Sequence, residues 1–204
     1  MLIRKGELFM NYNFMLYSSG LFLLSFLFVS NFMDKTNGQK MEGSGSSKID
    51  LKVKVGDKSP EFSAKTYSGK SISLKDYSGL KTVVLYFYPK DDTPGCTKEA
   101  CSFRDNLGRL NDANTVVVGV SVDDLDSHRK FKEKYGLNFD LVSDVNYEIV
   151  KKYGVQREGK DNKLSANRVT FLIDKKGIIR YIWASVKVEG HTDEVLSKIK
   201  ELKL

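Results

Sequence analysis

The 204-residue chain is poor in the residues that most often carry chemistry: two cysteines, two histidines, one tryptophan and three prolines. Two cysteines are too few for a disulfide-stapled secreted scaffold. With only His128 and His191 to join them, they also make a poor structural zinc site, which wants four ligands. Neither common glycine-rich phosphate loop is present, which disfavours nucleotide chemistry, and there is no internal repeat. Lysine and arginine outnumber aspartate and glutamate by 33 to 26, a net charge of +7. These charges are scattered and mostly interleaved with acidic residues. No basic stripe carries the aromatic platforms of a single-strand binder, so a solvated basic surface is expected and nucleic acid is not.

Charge is missing altogether between Leu8 and Met33, and Leu21 to Val29 is almost purely Leu, Phe and Val. Such a stretch is long enough to span a bilayer, which needs about 20 apolar residues. Arg4 and Lys5 would suit the basic start of a signal peptide, but no Ala-x-Ala cleavage pattern follows. An uncleaved anchor is therefore favoured over a cleaved signal, unless Met10, Met33 or Met41 is the true start. Residues 1–33 are read as this hydrophobic segment and 34–48 as a flexible linker, Gly/Ser-rich from Lys40 to Lys48. Residues 49–204 are read as the folded domain.

Within that domain, Leu51 to Val55 alternates like an edge strand, and Phe62 to Thr66 with Ser71 to Leu74 resembles a hairpin. Thr82 to Tyr88 reads as a buried central strand and Val116 to Val122 as a second core strand. Helices are expected over Thr97 to Leu110, Ser127 to Tyr135, Asn146 to Tyr153 and Thr192 to Leu202, the middle two ended by Gly136 and Gly154. Phe139 to Val142 is a short strand, and Val169 to Asp174 with Ile178 to Trp183 a second hairpin. Strands alternating with helices imply an α/β fold, a three-layer sandwich on a mixed sheet. His128 and His191 read as exposed helix-end residues with no metal or catalytic part, and Trp183 as packed on the second hairpin.

Both cysteines lie in Pro89-Lys-Asp-Asp-Thr93-Pro-Gly-Cys96-Thr-Lys-Glu99-Ala-Cys101, directly after the buried strand. Pro89, Pro94 and Gly95 turn the chain, and Cys96 falls where a helix can begin. Unpaired backbone N–H groups and the positive end of the helix dipole there favour thiolate over thiol. Cys101 is five residues on, which on a helix means about 7.5 Å of rise and a turn toward the opposite face. That exceeds the ~7 Å Cα limit for a disulfide, so bonding of the two would require local unwinding. Two unrelated buried thiols are the plain alternative. Thr93 and Pro94 can be read as turn residues, Arg168 as a surface charge, and Glu99 as an acidic residue complementing the helix dipole.

Pro89-x-x-x-Thr93-x-x-Cys96 matches the active-site signature of peroxiredoxins, and the longer run resembles the peroxiredoxin Q or bacterioferritin comigratory protein branch. The similarity continues through Gly119-Val-Ser121, His128 to Gly136, Val142-Ser-Asp144 and Arg168 to Asp174, covering nearly all of Val53 to Leu202. The resemblance implies a thioredoxin-like fold with an N-terminal hairpin and a thiol peroxidase acting on hydroperoxides. In that reading Cys96 is the peroxidatic cysteine and becomes a sulfenic acid. Cys101 resolves it into an intrachain disulfide, and a thioredoxin-type dithiol restores both thiols. Thr93 would hydrogen-bond the peroxide or a nearby oxygen, Pro89 and Pro94 would wall the pocket, and Arg168 would favour charge on sulfur. Glu99 would hold Arg168. No cofactor or metal is needed, because sulfur carries the electrons.

The chain lacks the Gly-Gly-Leu-Gly and C-terminal Tyr-Phe elements of overoxidation-sensitive relatives, so Cys96 is expected to resist sulfinic acid formation. The domain is expected as a monomer or weak dimer, cytoplasmic by its need for thioredoxin, and membrane-attached if residues 8–33 anchor it. The competing readings are a protein disulfide oxidoreductase and a membrane-tethered redox sensor using the same cysteine pair. A glutathione peroxidase is disfavoured, since no Gln/Trp/Asn constellation accompanies the cysteine.

Overall fold

The computed structural model describes residues 49–158 and 163–204; the segments read as anchor and linker, 1–33 and 34–48, lie outside the described residues. Strand β3 (Thr82–Phe87), TVVLYF, is buried at all six positions because it has a neighbour on each edge and a layer on each face. Here β1 is Ser63–Lys65, β2 Ser71–Ser73, β4 Thr115–Ser121, β5 Asp140–Ser143, β6 Gln156–Glu158, β7 Leu164–Ala166, β8 Val169–Ile173 and β9 Ile179–Trp183. The main sheet runs β5-β4-β3-β8-β9. β3, β4 and β5 are parallel, whereas β8 is antiparallel to both β3 and β9, so the sheet is mixed. β1 with β2, and β6 with β7, form separate antiparallel pairs.

The period-2 pleat sends alternate side chains of β3 to opposite faces. Val83, Leu85 and Phe87 join a core with Phe62, Ile72, Val150, Tyr153 and Ala166. Val84, Tyr86 and Tyr88 join a second core with Cys96, Phe103, Phe131, Val195 and Ile199. The second face is covered by α1 (Pro94–Asp105), α2 (Leu107–Asp112), α3 (Leu125–Tyr135) and α5 (His191–Leu202), the first by α4 (Glu148–Tyr153) and the two small β pairs. This is the expected three-layer α/β sandwich.

Local chemistry sets the ends. Pro94 opens α1, where its missing N–H costs nothing and its fixed φ suits a helix. Asp124 caps α3 by accepting from the Ser127 N–H, and Gly136 ends it in the left-handed region. At Gly154 (φ 72°) a Cβ would stand 2.4 Å from the Asp50 carbonyl oxygen and the Lys52 nitrogen. The incoming chain therefore packs flat against the end of α4.

The structure corrects several readings. Leu51 to Val55 is not a strand; its backbone is tied down singly, as where the Lys52 N–H donates to the Tyr153 carbonyl. The helix expected from Thr97 to Leu110 begins at Pro94 and is broken at Asn106, whose φ of −105° and ψ of 9° leave helical geometry. A stripe of Phe103, Leu107 and Leu110 continues across that break, so periodicity conceals it. The β6–β7 pair is too short and polar to show a strand pattern. His128 and His191 are not exposed: they are 0% and 1% accessible.

Candidate active site

Strand β3 delivers the chain to its C-terminal edge, where Pro89 to Thr93 turn it into α1. Cys96 is the third residue of that helix and only 1% exposed. In the first turn the N–H groups have no partner within the helix, and here no side chain caps them. Antiparallel pairing of β8 with β3 opposes Val169 to Phe87, so the residue before β8 arrives beside the end of β3. That residue is Arg168. Register alone brings it to a cysteine 72 positions away: Arg168 Nη2 donates to Cys96 Sγ at 3.2 Å.

The other arm of the guanidinium, Nη1, donates to Glu99 Oε2, one turn further along α1. Glu99 is 1% exposed, and its Oε1 is buried without a hydrogen-bond partner among the described residues. Burial raises its pKa to about 7 against the opposing pull of Arg168. Glu99 is thus buried and paired with Arg168, beyond the plain reading of an acidic residue complementing the helix dipole. A planar fork bridges a sulfur and a carboxyl group, which a lysine ammonium cannot do with the same geometry. The cation and the helix N-terminus both stabilise negative charge on Sγ.

Gly95 reads in the sequence only as a turn residue, yet it is part of the site. A Cβ there would lie 3.3 Å from Arg168 Nη2, so the missing side chain leaves room for the guanidinium. Its only sequence signal is its place before the cysteine. Thr93 is half-buried and its hydroxyl donates to the Lys90 carbonyl at 3.0 Å, which turns its oxygen's lone pairs toward other donors. Pro89 is half-buried and Pro94 is exposed. The Tyr86 phenol is buried and has no hydrogen-bond partner among the described residues, its acidity suppressed by burial and then by Glu99 and Asp91.

Cys101 lies on the same helix, half-buried, and both thiols are free. Since α1 is continuous from Pro94 to Asp105, the five-residue offset places about 7.5 Å of helical rise between them. Helix α1 is held to α5 and the segment before it: Ser102 and Thr192 share a 2.8 Å hydroxyl hydrogen bond, and Lys98, between the two cysteines, pairs with Glu189 at 3.0 Å. His191, at the start of α5, bonds Thr170 Oγ1 through Nε2 at 2.8 Å and is enclosed by Phe103 and Trp183. Trp183 is half-buried beside Tyr181, on the second hairpin as expected.

Among the described residues no cluster of three or more His, Cys, Asp or Glu could hold a metal, and no helix is long and apolar enough to cross a membrane. A groove of about 740 Å³ between β1 and α4 contains none of the site residues. With Arg168 at 3.2 Å, Cys96 offers a sulfur beside a fixed cation.

Comparison with known proteins agrees over the whole domain. The AhpC/TSA family model matches residues 55–182. A bcp peroxiredoxin of Coxiella burnetii is 48% identical over 153 residues, which are 73% of this chain and 100% of that one. Peroxiredoxin Bcp of Bacillus subtilis is 40% identical over 155 residues, covering 74% of this chain and 98% of the other. Among solved structures, the bacterioferritin comigratory protein of Xanthomonas campestris superposes with a TM-score of 0.67 at 33% identity, over 76% of this chain and 100% of that one. With the thioredoxin-like fold and the Cys96–Arg168 contact in place, the conclusion is plain: the chain belongs to the AhpC/TSA family of peroxiredoxins, in the peroxiredoxin Q or Bcp branch.

Proposed function

We propose that residues 49–204 form a catalytic domain that reduces hydroperoxides through Cys96 and recycles through Cys101. The Cys96 thiolate attacks the nearer oxygen of the O–O bond, which breaks with its electron pair on the departing oxygen. That oxygen takes a proton and leaves as water or alcohol, and Cys96 is left as sulfenic acid. Arg168 stabilises charge moving from sulfur to oxygen, and Glu99 holds Arg168 in register. Thr93 accepts a hydrogen bond from the peroxide, and Pro89 limits water at the sulfur.

Cys101 then attacks the Cys96 sulfur, expelling water and forming the disulfide, which requires the first turns of α1 to unwind. A thioredoxin-type dithiol returns both thiols by exchange and leaves as its own disulfide. The Xanthomonas campestris bacterioferritin comigratory protein has alkyl peroxide reduction activity, which supports organic hydroperoxides as substrates here beside hydrogen peroxide. The observation that carries the proposal is the 3.2 Å contact of Arg168 with a buried cysteine in the first turn of α1.

Intact mass and free-thiol count before and after one equivalent of hydrogen peroxide test it. The expected result is loss of two hydrogens and both thiols, reversed by reduced thioredoxin. Unchanged thiols, or slow oxidation shared with the methionines, would refute the peroxidase reading. Insulin reduction without peroxide would point to a protein disulfide oxidoreductase.

A further inference from the structure

The turn from Pro89 to Thr93 brings the peroxide-facing groups to Cys96, yet its own backbone forms no ladder with the sheet. It is held by aspartate side chains. Asp91, 5% exposed, accepts from the Tyr88 hydroxyl at Oδ1 (2.8 Å) and from the Ser127 hydroxyl at Oδ2 (2.8 Å). His128 Nδ1 lies 2.8 Å from the same Oδ2, its ring wholly buried. The Asp91 N–H donates to Asp123 Oδ2 at 2.9 Å, and Asp123 is itself fixed by the Ser121 hydroxyl at 2.7 Å. The next residue, Asp92, adopts a left-handed φ of 55° and is gripped by Lys134 at 2.7 Å and the Tyr135 hydroxyl at 2.5 Å. Apart from Tyr88, Ser121 and Asp123, every one of these partners is on α3. None is on α1.

We propose that Asp91 and His128 are positioning residues for peroxide reduction: they clamp the Pro89–Thr93 turn to α3, so that Thr93 and Pro89 keep their places whether α1 is wound or unwound. This inference rests on the peroxidase reading of Cys96. Its physical basis is a division of anchors. The turn is tied to α3 and β4 through its aspartates, while the first turns of the cysteine helix are tied to Arg168 through Cys96 and Glu99 and to the segment before α5 through Lys98–Glu189; further along, Ser102 bonds Thr192 and Arg104 bonds the Tyr135 carbonyl. Unwinding the first turns of α1 to join Cys96 and Cys101 breaks bonds made by α1 and leaves those made by Asp91 and Asp92 intact. The boundary of the moving segment then falls after Thr93, whose hydroxyl closes the turn on the Lys90 carbonyl. Buried hydrogen bonds to a carboxyl group make a stiff clamp, because each lost partner leaves a desolvated group behind.

The test compares two reactions of Cys96 in the full chain. Hydrogen peroxide consumption depends on the turn, whereas alkylation of the reduced thiol by iodoacetamide depends only on the nucleophile. Asp91→Asn removes the carboxylate charge and leaves one amide oxygen to accept where two oxygens did, and His128→Ala removes one bond. Both are expected to lower the second-order rate constant with peroxide by about 10- to 100-fold, the effect of a displacement near 1 Å in a reacting site. Alkylation should stay at the wild-type rate. His128→Asn, whose side-chain NH₂ can replace the Nδ1–H donor, should restore most of the peroxide rate. Should Asp91→Asn fold poorly, Ser127→Ala and Tyr88→Phe remove one Oδ partner each and should lower the peroxide rate by smaller steps.

Variants with wild-type peroxide rates and merely lower melting temperatures would overturn the clamp and leave a structural network. A parallel fall in peroxide and alkylation rates would overturn it too, since the nucleophile itself would then be disturbed. An inactive wild-type chain would remove the peroxidase reading first, a result distinct from active wild type with unaffected variants.

Discussion

His191 gives the sharpest quantitative prediction, because a buried imidazole must stay neutral to remain where it is. Burial first, and then the Arg168 guanidinium, lower its pKa from 6.5 to about 4. In the folded chain Nε2 is engaged with Thr170 Oγ1, while Nδ1 is buried without a hydrogen-bond partner among the described residues, Glu194 Oε2 standing 3.9 Å away. The unfolded chain binds a proton at His191 below about pH 6.5, and the folded chain does not until about pH 4. Stability contributed by this site is therefore constant above pH 6.5 and falls as pH drops toward 4. Each pH unit in that window is worth about 1.4 kcal/mol, so the full loss is about 3 kcal/mol.

The measurement is urea unfolding of wild type and of His191→Gln between pH 7.5 and 4.5, with the difference in unfolding free energy plotted against pH. Gln keeps a side-chain nitrogen for Thr170 but does not titrate. Carboxylates and Glu99 act on both proteins alike and cancel to first order. Taking the difference should reveal wild type losing ground below pH 6.5 at about 1.4 kcal/mol per pH unit. A flat difference would refute the neutral, desolvated histidine.

Other outcomes follow from the site. Arg168→Lys keeps the charge but not the fork, so peroxide turnover should fall by about 10²- to 10³-fold, the usual loss for one preorganised donor, in a steady-state assay with thioredoxin. Gly95→Ala should lower the same rate, since its Cβ would press the guanidinium from 3.3 Å; an unchanged rate would show that Arg168 can shift freely. Cys101→Ser should reduce one equivalent of peroxide and then stall as sulfenic acid, visible by dimedone labelling, while Cys96→Ser should be inert. Titration with peroxide under working reductant should leave Cys96 free of sulfinic acid by mass spectrometry; its accumulation at low peroxide would show that Cys101 captures the sulfenate slowly.

Much of this molecule is written in local pattern. The all-apolar, β-branched run of β3, the Pro-Gly turn and the cysteine that follows specify a strand, a stop and a helix start, because each depends on residues close in sequence. The same holds for Gly136 and Gly154 at helix ends, where a left-handed residue is needed. The i to i+5 spacing of Cys96 and Cys101 likewise sets their separation on a helix without reference to anything else.

What local pattern did not contain was the company each residue keeps. Asp91 and Asp92 look like polar loop residues, and His128 like a helix-end residue, until α3 folds across the turn and buries two of the three. His191 sits at a helix start but is enclosed by Phe103, Trp183 and Thr170, which come from three other elements. Arg168 meets Cys96 only because β8 pairs antiparallel with β3 in one register, and Glu99 is drawn into the core by that arginine. Sequence by itself determined the strand-turn-helix setting of Cys96 and the family. Tertiary pairing alone decided which charges are buried, which cation faces the sulfur and what holds the turn, because burial and ion pairing arise from contacts between segments distant along the chain.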